Sequence, residues 1–116
     1  MVAVREERPE SVKLLLERGA DVELQDETPE CQTCLHQAAS TGSSQYIRML
    51  AQSGANVNCR DNNEYTPLLL ASEVGHLDAV QLLLQLGADV DAVCDAGNSS
   101  LFFASLEGKV EIVELL

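Results

Sequence analysis

Apolar positions along this chain come in short helical stretches punctuated by glycine. Leu68, Leu69, Leu70 and Ala71 follow Thr66-Pro67 and lead to Gly75. Val80, Leu83 and Leu84 then recur at i, i+3, i+4, with Gln81 and Gln85 off that face, and Gly87 follows. Thr66-Pro67 predicts a helix start, because the Thr hydroxyl accepts from an N–H of the first turn and Pro needs no N–H at the first helical position. Gly75 predicts its end, since glycine enters the left-handed cap conformation without a Cβ clash. The spacing beyond it predicts a second helix from His76 or Leu77, closed by Gly87. The polar stretches, Ala88 to Ala92 and Arg60 to Asn63, carry alternation and turn residues that suit a short hairpin or loop. The unit is helix, turn, helix, projecting loop.

The unit recurs. At an offset of 33, Gly42, Gly75 and Gly108 align, as do Thr33, Thr66 and Ser99, and Leu50, Leu83 and Leu116. GADV at 87–90 returns as GANV at 54–57 and as GADV at 19–22, the last at an offset of 35. A fixed period in this range marks a stacked repeat protein. The divisions are a partial repeat 1–25, repeats 28–60 and 61–93, and a partial repeat 94–116, within a single domain 1–116.

The stretch TPLLLASEVGHLDAVQLLLQLGADVDA resembles the ankyrin repeat, whose usual form has Thr-Pro-Leu-His, paired Ala, Gly-His and a Leu-Leu pair before Gly-Ala-Asp. The resemblance spans essentially the whole chain. It implies an all-α solenoid of stacked antiparallel helix pairs, with hairpin loops projecting as fingers beside a concave binding surface. Departures are local. In the first unit Glu7 stands where the inter-helix Gly is expected and Pro9 follows, which predicts a distorted turn. Cys34 replaces Pro in Thr33-Cys34-Leu35-His36, and the loop before it carries two extra residues within 23–32. Glu64 replaces the finger-tip Gly and Leu69 the His. Neither terminus shows a polar capping repeat, and solenoids need such caps over their end faces. The expectation is a segment of a longer array, with a short array of degenerate ends as the other possibility.

Composition narrows the function. With 116 residues and 46% apolar content the chain suits one packed domain. No apolar run reaches the length of a membrane span and no secretory leader pattern opens at Met1, so the expected setting is intracellular, cytoplasmic or nuclear. Seven basic against 19 acidic residues leave a net charge of −12, which repels phosphate backbones and anionic lipid. Direct nucleic-acid or membrane binding is therefore disfavoured.

Candidate chemistry is sparse. Cys31-Gln32-Thr33-Cys34 is a CxxC, with Cys59 and Cys94 elsewhere, but no second CxxC or His pair at ligand spacing accompanies it. Neither a metal nor another cofactor is expected, and the thiols read as reduced. No phosphate-cradling loop, HExxH or nucleophile elbow is present, so neither enzymatic activity nor a small-molecule substrate is expected. The resemblance gives His36 and His76 structural roles, with His36 bridging Thr33 and a neighbouring backbone. It also places partner contacts at Pro29, Glu30, Gln32, Ser40 and Thr41, at Asn62, Asn63, Tyr65, Glu73 and Val74, and at Asp95, Asn98, Leu106 and Glu107. Tyr65 is the preferred anchor, packing over the adjacent finger being its other role. Carboxylates at residues 23, 26, 27, 30, 61, 64, 89, 91 and 95, opposed by Arg60 alone, predict a protein partner with a basic rim. The resemblance implies a non-catalytic interaction scaffold. The alternative is a substrate-recruiting segment of a larger adaptor such as a ubiquitin-ligase subunit. Leu50, eight residues before Asn58, resembles the context in which ankyrin asparagines are hydroxylated.

Overall fold

The computed structural model describes residues 33–106 and 108–116. Expectations for residues 1–32, including the distorted first turn and Cys31 of the CxxC, lie outside them. Six helices follow in order: α1 (Cys34–Thr41), α2 (Ser44–Gln52), α3 (Pro67–Val74), α4 (Leu77–Gln85), α5 (Ser100–Leu106) and α6 (Val110–Leu115). The first helices α1, α3 and α5 begin 33 residues apart, and so do the second helices α2, α4 and α6.

Local chemistry accounts for the boundaries. Thr33 and His36 form a reciprocal capping box: His36 N–H donates to Thr33 Oγ1 over 3.4 Å, and Thr33 N–H donates to His36 Nδ1 over 3.1 Å. Thr66 Oγ1 accepts from Leu69 N over 3.3 Å, with Pro67 as the first helical residue, and Ser99 Oγ accepts from Phe102 N over 3.2 Å. Gly42 and Gly75 end α1 and α3 in the left-handed conformation at φ +78° and +92°. The expected stop at Gly87 is close but not at the cap itself: α4 ends at Gln85, Leu86 is the C-cap, and Gly87 follows at φ +95°.

None of these helices exceeds nine residues. Isolated helices shorter than about 12–15 residues are marginal in water, so packing holds them. Each first helix lies against its own second helix and against the first helix of the next repeat, and the second helices pack side by side in the same way. Leu35, Ala38, Ala39, Leu68, Ala71 and Ala104 meet Tyr46, Ile47, Leu50, Ala79, Val80, Leu83 and Ile112 in one core. The alanines let neighbouring helices approach. A smaller cluster of Leu69, Cys94 and Phe103, with Tyr65 against it, lies at the base of the fingers.

The fingers are turns rather than paired strands. Among the described residues the extended pairing amounts to an isolated antiparallel bridge, Val93 to Ser99. Asp61 N–H donates to Tyr65 O over 3.0 Å, and one repeat later Cys94 N–H donates to Asn98 O over 3.1 Å. The first finger has an added brace: Asp61 Oδ1 accepts from the N–H of Asn63 and of Tyr65, both at 2.9 Å. At its tip Glu64 is held at φ +63°, where Gly97 of the next finger sits at +81°. A side chain in that conformation costs roughly 1–2 kcal/mol, partly offset against glycine by the greater unfolded-state freedom of glycine. Glu64 also faces Arg60 at 3.5 Å in an exposed ion pair, which contributes little in water. Glu64→Gly is therefore expected to raise stability by about 0.5–1 kcal/mol in urea unfolding. A loss would show that the Arg60 pair outweighs the backbone strain.

Candidate protein-binding surface

The fingers are held in register by hydrogen bonds that cross from one repeat to the next. His36 is fully buried; its Nε2–H donates to Tyr65 O over 2.7 Å, and Thr33 Oγ1 lies 3.0 Å from Nδ1. Because Nδ1 accepts from the Thr33 amide, the proton sits on Nε2. The structural role expected of His36 is thus observed: one imidazole ties its own helix cap to the base of the following finger. Arg60 Nη1 donates to Glu64 O at 3.0 Å and to Val93 O at 2.9 Å, joining consecutive fingers. Asp95 N–H donates to Asn63 O over 3.0 Å at the tips.

Asn58 makes a similar tie lower down. Its Oδ1 accepts from Asp89 N over 2.7 Å and its Nδ2 donates to Gly87 O over 3.4 Å. The asparagine is exposed, yet both ends of its amide are engaged by the next repeat. His76 Nε2–H donates to Ser40 O over 3.1 Å, crossing the inter-helix turns.

The expected contact residues divide between these ties and open surface. Asn62, Asn63, Thr41, Glu73, Val74, Asp95 and Leu106 are exposed, and Ser40 and Asn98 are half-buried. Pro29, Glu30, Gln32 and the side chain of Glu107 lie outside the described residues. Thr41 Oγ1 is turned back to Ala38 O at 3.2 Å. Tyr65 is half-buried, its ring stacked on Phe103 with centroids 5.7 Å apart. Its partial burial first, and the neighbouring Glu73 carboxylate second, push the phenol well above its usual range, so it stays protonated. Tyr65 and Glu73 are thereby brought together at the corner between finger and first helix.

Two expectations about finger charge are corrected. Asp61 does not face outward: it is 5% exposed, and its carboxylate is spent on the turn amides. Arg60 acts less as a counter-charge than as a donor to two carbonyls. Outward carboxylates among the described finger residues are those of Glu64, Asp89, Asp91 and Asp95. Residues that sequence reasoning passed over are Phe103, the platform under Tyr65, and Lys109, whose side chain lies over Gly75. The available signal for Lys109 was its place 33 residues after His76.

Among the described residues no group of three or more His, Cys, Asp and Glu could hold a metal ion, and no helix is long and apolar enough to cross a membrane. Capped helix pairs at a constant period, stacked side by side with their loops tied in a row, define a solenoid built for surface contact. The family profile described as ankyrin repeats (3 copies) matches residues 1–94 and 54–116, and the chain belongs to the ankyrin repeat family. It is 37% identical over 67 residues, 58% of its own length, to a probable E3 ubiquitin-protein ligase, XBOS34, of Oryza sativa subsp. japonica. That match covers 13% of the rice protein.

Proposed function

We propose that this chain is a non-catalytic scaffold that binds a protein partner through its finger loops and the ends of its first helices. The observation that carries the reading is the row of exposed polar side chains at Asn62, Asn63, Glu64 and Asp95, mounted on backbones tied to each other across repeats. Such pre-organisation lowers the ordering cost of association. The outward carboxylates favour a partner with a basic rim.

The test is direct binding measurement with a purified partner over rising ionic strength. Affinity is expected to fall as salt rises, because exposed charges are screened beyond a Debye length of about 8 Å at physiological salt. Tyr65→Ala is expected to weaken binding by about 2 kcal/mol, roughly thirtyfold. A flat salt dependence together with an unaffected Tyr65→Ala variant, folded by circular dichroism, would exclude the finger row as the site.

Two extensions have their own support. Leu101 and Phe102 are 46% and 45% exposed, whereas Leu35, Leu68, His36 and Leu69 at the equivalent places are fully buried by the following repeat. This favours a longer array, with a further hairpin over that face. The likeness to the rice protein favours recruitment of substrates within a larger ubiquitin-ligase adaptor as the second reading, decided by whether a ligase-recruiting element shares the polypeptide.

A further inference from the structure

Resting on the scaffold reading, we propose that the bound segment of the partner seats one large apolar side chain against Leu106 and Val74 and carries its cationic residues on the finger side of that anchor. Leu106 and Val74 are the last residues of α5 and α3, which pack side by side, and are 68% and 47% exposed. Leu106 stands 33 residues after Glu73, so a carboxylate position in one repeat is occupied by a leucine in the next. An apolar spot is thus set into an otherwise acidic row.

The two sides of that spot differ in charge. On the finger side lie the exposed carboxylates of Glu64, Glu73 and Asp95, with Arg60 beside Glu64 engaged by the carbonyls of Glu64 and Val93. On the side of the inter-helix turn, Lys109 lies over Gly75, the residue that caps α3 directly after Val74. Cations placed there would meet Lys109 as well as Glu111, while cations toward the finger would meet the three carboxylates with Arg60 already engaged. Rim charges of this kind set selectivity and association rate more than raw affinity. The occupant is a short segment rather than a second copy of the chain, since two side chains fall far below the roughly 800 Å² per partner of a stable interface.

The experiment uses fluorescence anisotropy with dye-labelled synthetic peptides and the full chain. One pair has three arginines on one side of a central leucine, before or after it. Controls replace the leucine by alanine, the arginines by glutamates, or place arginines on both sides. One of the one-sided peptides is expected to bind, the alanine control about tenfold more weakly or less, and the glutamate control not at all. The two-sided peptide should bind less tightly than the better one-sided peptide and recover with Lys109→Gln. Leu106→Ser and Val74→Ser, both at exposed positions, should each weaken binding several-fold with unchanged thermal melts. Equal binding of the alanine control, indifference to Leu106→Ser, or binding by no basic peptide would overturn the proposal. A folded partner that is lost on Tyr65→Ala but indifferent to Leu106→Ser would leave the scaffold reading standing and remove only the anchor.

Discussion

Replacing His36 by alanine is expected to lower the unfolding free energy by about 3–4 kcal/mol, a large part of the roughly 5–15 kcal/mol typical of a domain. Two costs combine. Removing a fully buried ring leaves a cavity among packed neighbours, and the Thr33 amide loses its acceptor, while Tyr65 O gives up its 2.7 Å donor but keeps the Asp61 amide at 3.0 Å. A buried polar group left unpaired costs roughly 1–3 kcal/mol, more than the net gain of forming its bond. Because the imidazole spans two repeats, the loss should also loosen the finger: amide exchange should quicken at Tyr65 and Glu64, whose N–H groups donate to Asp61 within the turn. His36→Leu supplies the contrast. Leucine occupies the equivalent place at Leu69 and packs there with Cys94 and Phe103, so it should restore much of the volume but neither hydrogen bond. Equal urea stability of the alanine variant and the parent chain would show that the tie carries no net weight.

Gly42→Ala is expected to cost about 2–3 kcal/mol, against about 1 kcal/mol for Gly54→Ala. Both glycines have positive φ, +78° and +94°, so both substitutions incur the left-handed backbone penalty. They differ in what the new methyl meets. A Cβ on Gly42 would stand 2.6 Å from Cγ and Nδ1 of His76, whereas a Cβ on Gly54 has nothing within 4 Å. The ring is held in place by its bond to Ser40 O, one repeat away, so relief requires breaking that bond. Thermal or urea unfolding of the two variants side by side decides it, and equal losses would mean that the ring swings aside freely.

How much was legible beforehand follows from the range of the interactions concerned. Thr33, Thr66 and Pro67 could be read as helix starts and Gly42 and Gly75 as stops because a cap concerns groups three or four residues apart, and the chain places those together in any compact state. The apolar spacing within each helix pair, repeated at 33, predicted stacking for a related reason: helices of nine residues or fewer cannot stand alone. The resemblance to the repeat pattern marked Glu64 as occupying a glycine place, which its positive φ bears out.

The candidate binding surface was less legible. Alignment with the repeat pattern picks positions, but it does not say which side chains are already occupied. Asp61 looked like an outward charge and is a buried brace for its own turn, and Arg60 looked like a lone counter-ion and joins two fingers through their carbonyls. Tyr65 stacks on Phe103, a partner that is near only after the third and fourth repeats have stacked.

The sequence by itself therefore determined the helices, their turns and the period at which they repeat, since those depend on hydrogen bonds and sterics reaching no further than a turn or two of chain. Only the tertiary structure decided which side chains are consumed in holding one repeat to the next and which, such as Leu106, Val74 and Asp95, are left facing outward. Those pairings span about one repeat of sequence, and burial at such a distance is settled by how neighbouring hairpins pack.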